Sequence, residues 1–161
     1  MIREAQVSDA KTISEIYNYY IVNTIITFET EPITPEEIVH RIEKYKQVGD
    51  YLVFEENGVV IGYAYVSMFR DRKAYENSVE STIYLKDGYG GKGIGFELYS
   101  ELLARVSTKY HVIVAGISLP NEASVRLHEK CGFKKVGQFP EVGRKFDQWI
   151  DVGFWQKNGN A

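Results

Sequence analysis

The chain has 161 residues, 44% apolar and 25% charged, with 19 Lys and Arg against 22 Asp and Glu for a formal charge of −3. This composition excludes disordered, collagenous and disulfide-stapled classes, and no basic run concentrates the charge that a nucleic-acid backbone demands. No apolar stretch approaches the roughly 20 residues of a membrane span, so the sequence reads as one globular domain, residues 1–161, around one substantial core.

Met1-Ile2-Arg3-Glu4 lacks the basic-then-apolar organisation of a signal peptide, and the single Cys131 can form no internal disulfide; together they suggest a cytoplasmic location. Ile2 to Ala5 reads as a short strand. Ser8 or Asp9 then caps a helix whose apolar stripe is Ile13, Ile16, Tyr17, Tyr20 and Ile21. A second helix opens at Thr34-Pro35-Glu36-Glu37, with Thr34 as cap, Pro35 in the first turn and Glu37 completing a capping box. Ile38, Ile42 and Tyr45 form its buried face, and Gly49 ends it.

The middle of the chain changes character. Tyr51 to Phe54 and Val59 to Phe69 are β-branched and aromatic, and Asn57-Gly58 between them is a strong hairpin signal. A third strand spans Ser78 to Leu85, and antiparallel pairing of the three is expected. A helix follows from Gly93 through Val106, then a strand from Val112 to Ser118 and a short helix from Asn121 to Lys130. Gly132 suits the left-handed position past that helix. Strands at Phe133 to Phe139 and Trp149 to Trp155 complete a β-α-α-β-β-β-α-β-α-β-β order, a mixed α/β sheet.

Gly88, Gly90, Gly91, Gly93 and Gly95 place five of the 14 glycines within eight residues, between a strand and a helix. Glycines let main-chain N–H groups approach a ligand, and a helix N-terminus adds free donors and partial positive charge, so this turn reads as a pyrophosphate cradle. Gly88-x-Gly90-x-x-Gly93 matches the dinucleotide fingerprint only literally. The loop is mid-chain, after antiparallel strands, and Ile113 and Val114 stand where an acidic residue belongs. A kinase-type P-loop fails because Gly93 follows Lys92 where Ser or Thr is required.

Ser81-Thr82-Ile83-Tyr84-Leu85 followed by Gly90-Gly91-Lys92-Gly93-Ile94-Gly95 resembles the acetyl-CoA motif of the GNAT N-acetyltransferase superfamily. Adding Phe69 to Tyr75, Val79 to Thr82, Gly116 to Asn121, Ser124 to Phe133 and Asp151 to Trp155 makes the chain similar to the phosphinothricin N-acetyltransferase branch, from Ile2 to about Trp155. One departure is Gly90, where the family motif usually has Gln or Arg. The resemblance implies a mostly antiparallel seven-stranded sheet flanked by about four helices, with splayed central strands. It also implies acetyl-CoA as donor, held by Thr82 to Leu85, Gly90 to Gly95, Asn121 and Ser124, and a homodimeric assembly.

Glu80 shares a strand face with Thr82 and Tyr84, just upstream of the expected thioester position. By itself a lone strand glutamate reads as a solvated surface residue. The resemblance makes it the candidate base, since a partly desolvated carboxylate becomes a better proton acceptor near neutrality. Asn121, Ser124 and His128 share one helix stripe. His128 occupies the position where many relatives carry a tyrosine that protonates the CoA sulfur, and it is the second catalytic candidate, as donor or second base.

The resemblance further implies that Arg72 and Tyr75, with Lys73 and Ala74 between them, hold the acidic end of a small amino acid, while Phe28 walls the pocket. The Val142 to Phe146 segment either closes that pocket or meets a partner subunit. His40, His111 and His128 show no metal-ligand spacing, so no metal is expected. The expected reaction is direct acetyl transfer to the α-amino group of a phosphinothricin-like or methionine sulfoximine-like acceptor, with no nucleic-acid or membrane partner. The alternatives are another amine (polyamine, aminoglycoside or protein) or a CoA-binding module without turnover.

Overall fold

The computed structural model describes residues 1–160. In chain order the elements are β1 (Ile2–Glu4), α1 (Ala10–Asn23), α2 (Pro35–Lys46), β2 (Tyr51–Glu56), β3 (Val59–Met68), β4 (Ser78–Leu85), α3 (Ile94–Val106), β5 (Val112–Leu119), α4 (Glu122–Lys130), β6 (Lys134–Lys145) and β7 (Gln148–Asn158). The strands form one sheet in the order β1-β2-β3-β4-β5-β7-β6. The expected mixed fold, with seven strands and four helices, is what the chain adopts.

Both faces of β2 and β3 are covered, which explains their unbroken apolar runs. Leu52, Ala64, Val66 and Val79 point to one side and pack with Leu98, Tyr99 and Leu102 of α3. Their neighbours Tyr51, Val53 and Tyr63 point to the other and pack with Ile13, Ile16, Ile38 and Ile42 of α1 and α2. The β2–β3 turn takes the expected left-handed pair, with φ of 52° at Asn57 and 79° at Gly58.

Local signals misled at three points. Asp9 does not cap α1 with its side chain. Its carboxylate instead accepts the Arg3 guanidinium at 2.8 and 2.9 Å and the Gln6 N–H at 2.8 Å. A cationic partner close by competes successfully with a helix terminus. Thr34 does cap α2, accepting from the Glu37 N–H at 3.1 Å, but the Glu37 carboxylate turns along the helix to Arg41 Nε at 3.0 Å instead of closing a capping box. The strand expected to end at Phe139 continues to Lys145. It does so across an irregularity, where the register slips from Phe139↔Val152 to Gly143↔Ile150 and Glu141 adopts φ 51°.

The central feature is the junction of β4 and β5. β3 pairs with β4 from Gly62↔Leu85 to Met68↔Val79, and β5 pairs with β7 from Val112↔Asn158 to Leu119↔Asp151. β4 and β5 are parallel and stay together for three registers, Ser78↔Val112 to Glu80↔Val114. Beyond Glu80 they part, and a cleft opens between them.

Candidate active site

The parting strands enclose about 300 Å³, lined on β4 by Glu80 to Tyr84, on β5 by Gly116 to Ser118, and by Asn121, Ser124 and His128 around α4. Ile26, Thr27 and Phe28, from the loop after α1, and Val152 and Phe154 of β7 complete the wall. Sequence reasoning placed Glu80, Thr82, Ile83, Tyr84, Asn121, Ser124, His128 and Phe28, and the fold gathers all eight here. It missed the β5 and β7 walls. Gly116 was the available signal, because a glycine inside an apolar strand marks a close approach. A Cβ there would sit 3.3 Å from the Phe154 ring and 3.6 Å from Glu80 Oε1.

Glu80 lies at the apex, at the last paired position before the strands separate. Its carboxyl pKa is raised, first by desolvation in the cleft wall and against the smaller opposing pull of Arg70. No described residue donates it a hydrogen bond, so its lone pairs remain available to a ligand.

His128 is buried and wedged edge-on against Tyr99 and Phe133, with ring centroids at 5.0 and 5.2 Å. Its Nδ1 stands 2.7 Å from the Ser124 carbonyl oxygen, which can only accept, so Nδ1 carries the proton. In the neutral ring Nε2 then holds a lone pair. Burial lowers the imidazole pKa, and the Ser124 bond opposes that shift more weakly. Tyr99 in turn shares a hydrogen bond with Ser81 at 2.6 Å, tying this cluster to β4. Asn121 caps α4, its Oδ1 accepting from the Ser124 N–H at 3.2 Å.

The glycine loop joins β4 to α3 at the end of β4 past the point where the strands have parted. Gly88, Gly91 and Gly93 take φ of 87°, 76° and 82°, which side-chain-bearing residues resist, and Gly93 directly precedes the helix. Gly95 has another role. It is buried where α3 packs on β4 and α4, and a Cβ there would touch Leu85 and Leu127 at ordinary contact distance. Leu85 likewise packs inward, and its carbonyl accepts the Tyr20 hydroxyl at 2.5 Å. Ile94 is buried at the helix start. Lys92 is exposed, with Nζ 5.0 Å from the Tyr89 ring centroid and Lys86 Nζ 5.9 Å from the same ring, so two cations flank the loop. Gly90 has ordinary φ and open space where a Cβ would stand, so a longer side chain would fit there.

Arg72, Lys73, Ala74 and Tyr75 fall in the β3–β4 connection, where Lys73–Tyr75 form a single 3₁₀ turn. None of the four lines the cleft. Arg72 and Tyr75 line a more open groove of about 630 Å³ with Met68, Phe69, Arg70 and Asp71. Arg70 links the two regions electrostatically, because its charge is felt at Glu80.

The model of the acetyltransferase (GNAT) domain matches residues 2–153. The phosphinothricin N-acetyltransferase of Streptomyces coelicolor is 41% identical, over 97% of this chain and 94% of its own length. The L-methionine sulfoximine/L-methionine sulfone acetyltransferase of Salmonella typhimurium is 39% identical over 96% and 92%. The crystal structure of a GNAT superfamily phosphinothricin acetyltransferase from Sinorhizobium meliloti, in complex with acetyl-CoA, superimposes with a TM-score of 0.94 at 36% identity, covering 99% of this chain and 88% of that one. Fold and sequence agree, and the chain belongs to the GNAT family of acetyltransferases.

Proposed function

We propose that this enzyme moves acetyl from acetyl-CoA to the α-amino group of a small amino acid with an acidic or sulfone-like end, of the phosphinothricin or methionine sulfoximine type. Transfer is direct, in a ternary complex. The observation that carries the reading is Glu80: a partly desolvated carboxylate at the apex of the cleft that accepts no hydrogen bond from the described residues. In this reading the main chain past Gly90 holds the pyrophosphate, as free N–H donors at a helix start do, with Lys92 as a mobile cation. The unpaired edge of β4 at Thr82 to Tyr84, with Asn121 and Ser124, lies along the pantetheine arm.

Glu80 takes a proton from the acceptor ammonium, and the freed amine attacks the thioester carbonyl. The N–C bond forms as the C–S bond breaks, and the proton released from nitrogen neutralises the departing thiolate. His128, kept neutral by burial, offers Nε2 as a hydrogen-bond acceptor that orients the amine. The cationic Arg70 to Lys73 stretch flanks the approach and favours acceptors with an anionic end over polyamines, which it repels.

A thiol-release assay over a panel of amines tests this. Phosphinothricin or methionine sulfone is expected to exceed spermidine in kcat/KM by about 100-fold, roughly 3 kcal/mol of discrimination. Turnover confined to polyamines, or CoA binding without turnover, would overturn it.

The chain is further proposed to work as one domain in the cytoplasm, where Cys131 stays reduced, and as a homodimer. Support for the dimer comes from the β6–β7 hairpin, which carries Val136, Phe139, Val142, Phe146 and Trp149, each more than half exposed. Such a run of large apolar side chains is unusual for a free surface. Sedimentation at micromolar concentration should give the dimer mass, and Phe139→Glu with Trp149→Glu should give the monomer. A wild-type monomer at that concentration would refute the assembly.

A further inference from the structure

Phe28 is 41% exposed, sits on the loop after α1 and lines the cleft. What lies behind the ring is β6. A Cβ built on Gly143 would overlap the outer edge of the Phe28 ring, so the ring rests directly on the Gly143 main chain. Gly143 does not have positive φ and is free to carry a side chain as far as its backbone is concerned. Its bareness therefore serves the contact. Two residues further on, Lys145 is 5% exposed and its Nζ donates to the Thr27 carbonyl at 2.8 Å. β6 thus holds the Thr27–Phe28 wall at two adjacent points.

The opposite side of the loop is held as well. Thr27 Oγ1 shares a hydrogen bond with the Tyr17 hydroxyl at 2.8 Å, and Tyr17 also bonds Glu29. Arg41 grips Glu29 at 2.7 and 2.9 Å. The strand irregularity is what brings Gly143 to this place. Between Phe139 and Gly143 β6 carries two more residues than β7, and Asp151 fastens the excess by accepting from the Glu141 N–H at 2.8 Å and from Gln138 Nε2 at 2.7 Å.

We infer that Gly143 and Lys145 are positioning residues that set the acceptor side of the cleft, and that the absence of a side chain at 143 determines how large an acceptor fits. Phe28 stands between β6 and the cleft, so a methyl group at 143 pushes the ring into the space that the acceptor occupies. The ring edge is the free end of a side chain, so it yields at little cost to the fold. The inference rests on the acetyl-transfer reading above for its assay, and on the geometry alone for its direction.

The test is a double-mutant cycle. Gly143→Ala is expected to raise the acceptor KM by about 10-fold, with acetyl-CoA KM and kcat within about twofold, and with the loss growing as the acceptor enlarges. In a Phe28→Leu background, where the shorter side chain no longer reaches position 143, the same change should alter acceptor KM by less than about twofold. Equal effects in both backgrounds, or an unchanged acceptor KM, would overturn the inference. Should Gly143→Ala fold poorly, Lys145→Met gives the second reading: a raised acceptor KM with acetyl-CoA KM unmoved, largely restored by Lys145→Arg. A rise in both KM values would mark Lys145 as a general structural residue and sink its assignment. If the wild type acetylates polyamines and no amino acid, the proposed substrate class fails, and the cycle is read on the accepted amine.

Discussion

Glu80→Gln is expected to lower kcat by about 10²- to 10³-fold, roughly 2.7–4 kcal/mol of barrier, with acetyl-CoA KM changed by less than about twofold. Glutamine keeps the size and the hydrogen-bonding edge of the side chain and removes proton affinity. A role in donor binding would therefore move KM, and a role in proton transfer moves kcat. The pH profile carries the same information. Desolvation raises the Glu80 pKa, and Arg70 resists with the smaller effect. The base works when ionised, so wild-type rate should fall as pH drops through a pKa above the ordinary carboxylate value, and this limb should vanish in Glu80→Gln. Turnover near the wild-type level would remove Glu80 from the mechanism.

Donor binding should fail most sharply at Gly93. Its φ of 82° precedes the first residue of α3, and a β-branched side chain there is strained and crowds the free N–H groups. Gly93→Val is expected to weaken acetyl-CoA binding by about 30-fold or more in calorimetry. Because the position is exposed, the strain of about 1–2 kcal/mol should lower Tm by only roughly 2–8 °C. Gly90→Gln is the control, since that position has ordinary φ and open space; binding should stay at wild-type strength or tighten. Unimpaired binding by Gly93→Val would place the pyrophosphate away from this loop.

How far the sequence reveals the molecule depends on the range of the interactions involved. β4 was legible to its end residues, Ser78 and Leu85, because β-branched alternation and a glycine break mark it locally. The Asn57-Gly58 turn and the Thr34 cap were legible for the same reason. β6 beyond Phe139 was not. Pro140 and Gly143 read as loop, its residues are nearly all exposed, and the turn to β7 uses Phe146 and Asp147 at φ 52° and 59° in place of glycine. Asp9 looked like a cap because Asp favours that position, but Arg3, on the neighbouring strand, takes its carboxylate. The site divides in the same way. Residues on β4, the glycine turn and α4 carry recognisable local patterns. Val152, Phe154 and Thr27 reach the cleft only through long-range packing, and no spacing announces them.

The brief join of β4 and β5 has a consequence for the resting molecule. Strands β1 to β4 and strands β5 to β7 are two well-laced panels meeting at a seam only three residue pairs long. A sheet is ordinarily firmest at its centre and frays at its rims, whereas here main-chain donors and acceptors at the middle stay unsatisfied by the protein itself. Under the proposed placement of the donor, a guest that supplies the missing bonds would act as a surrogate strand, and occupancy and mechanical integrity of the sheet would rise together.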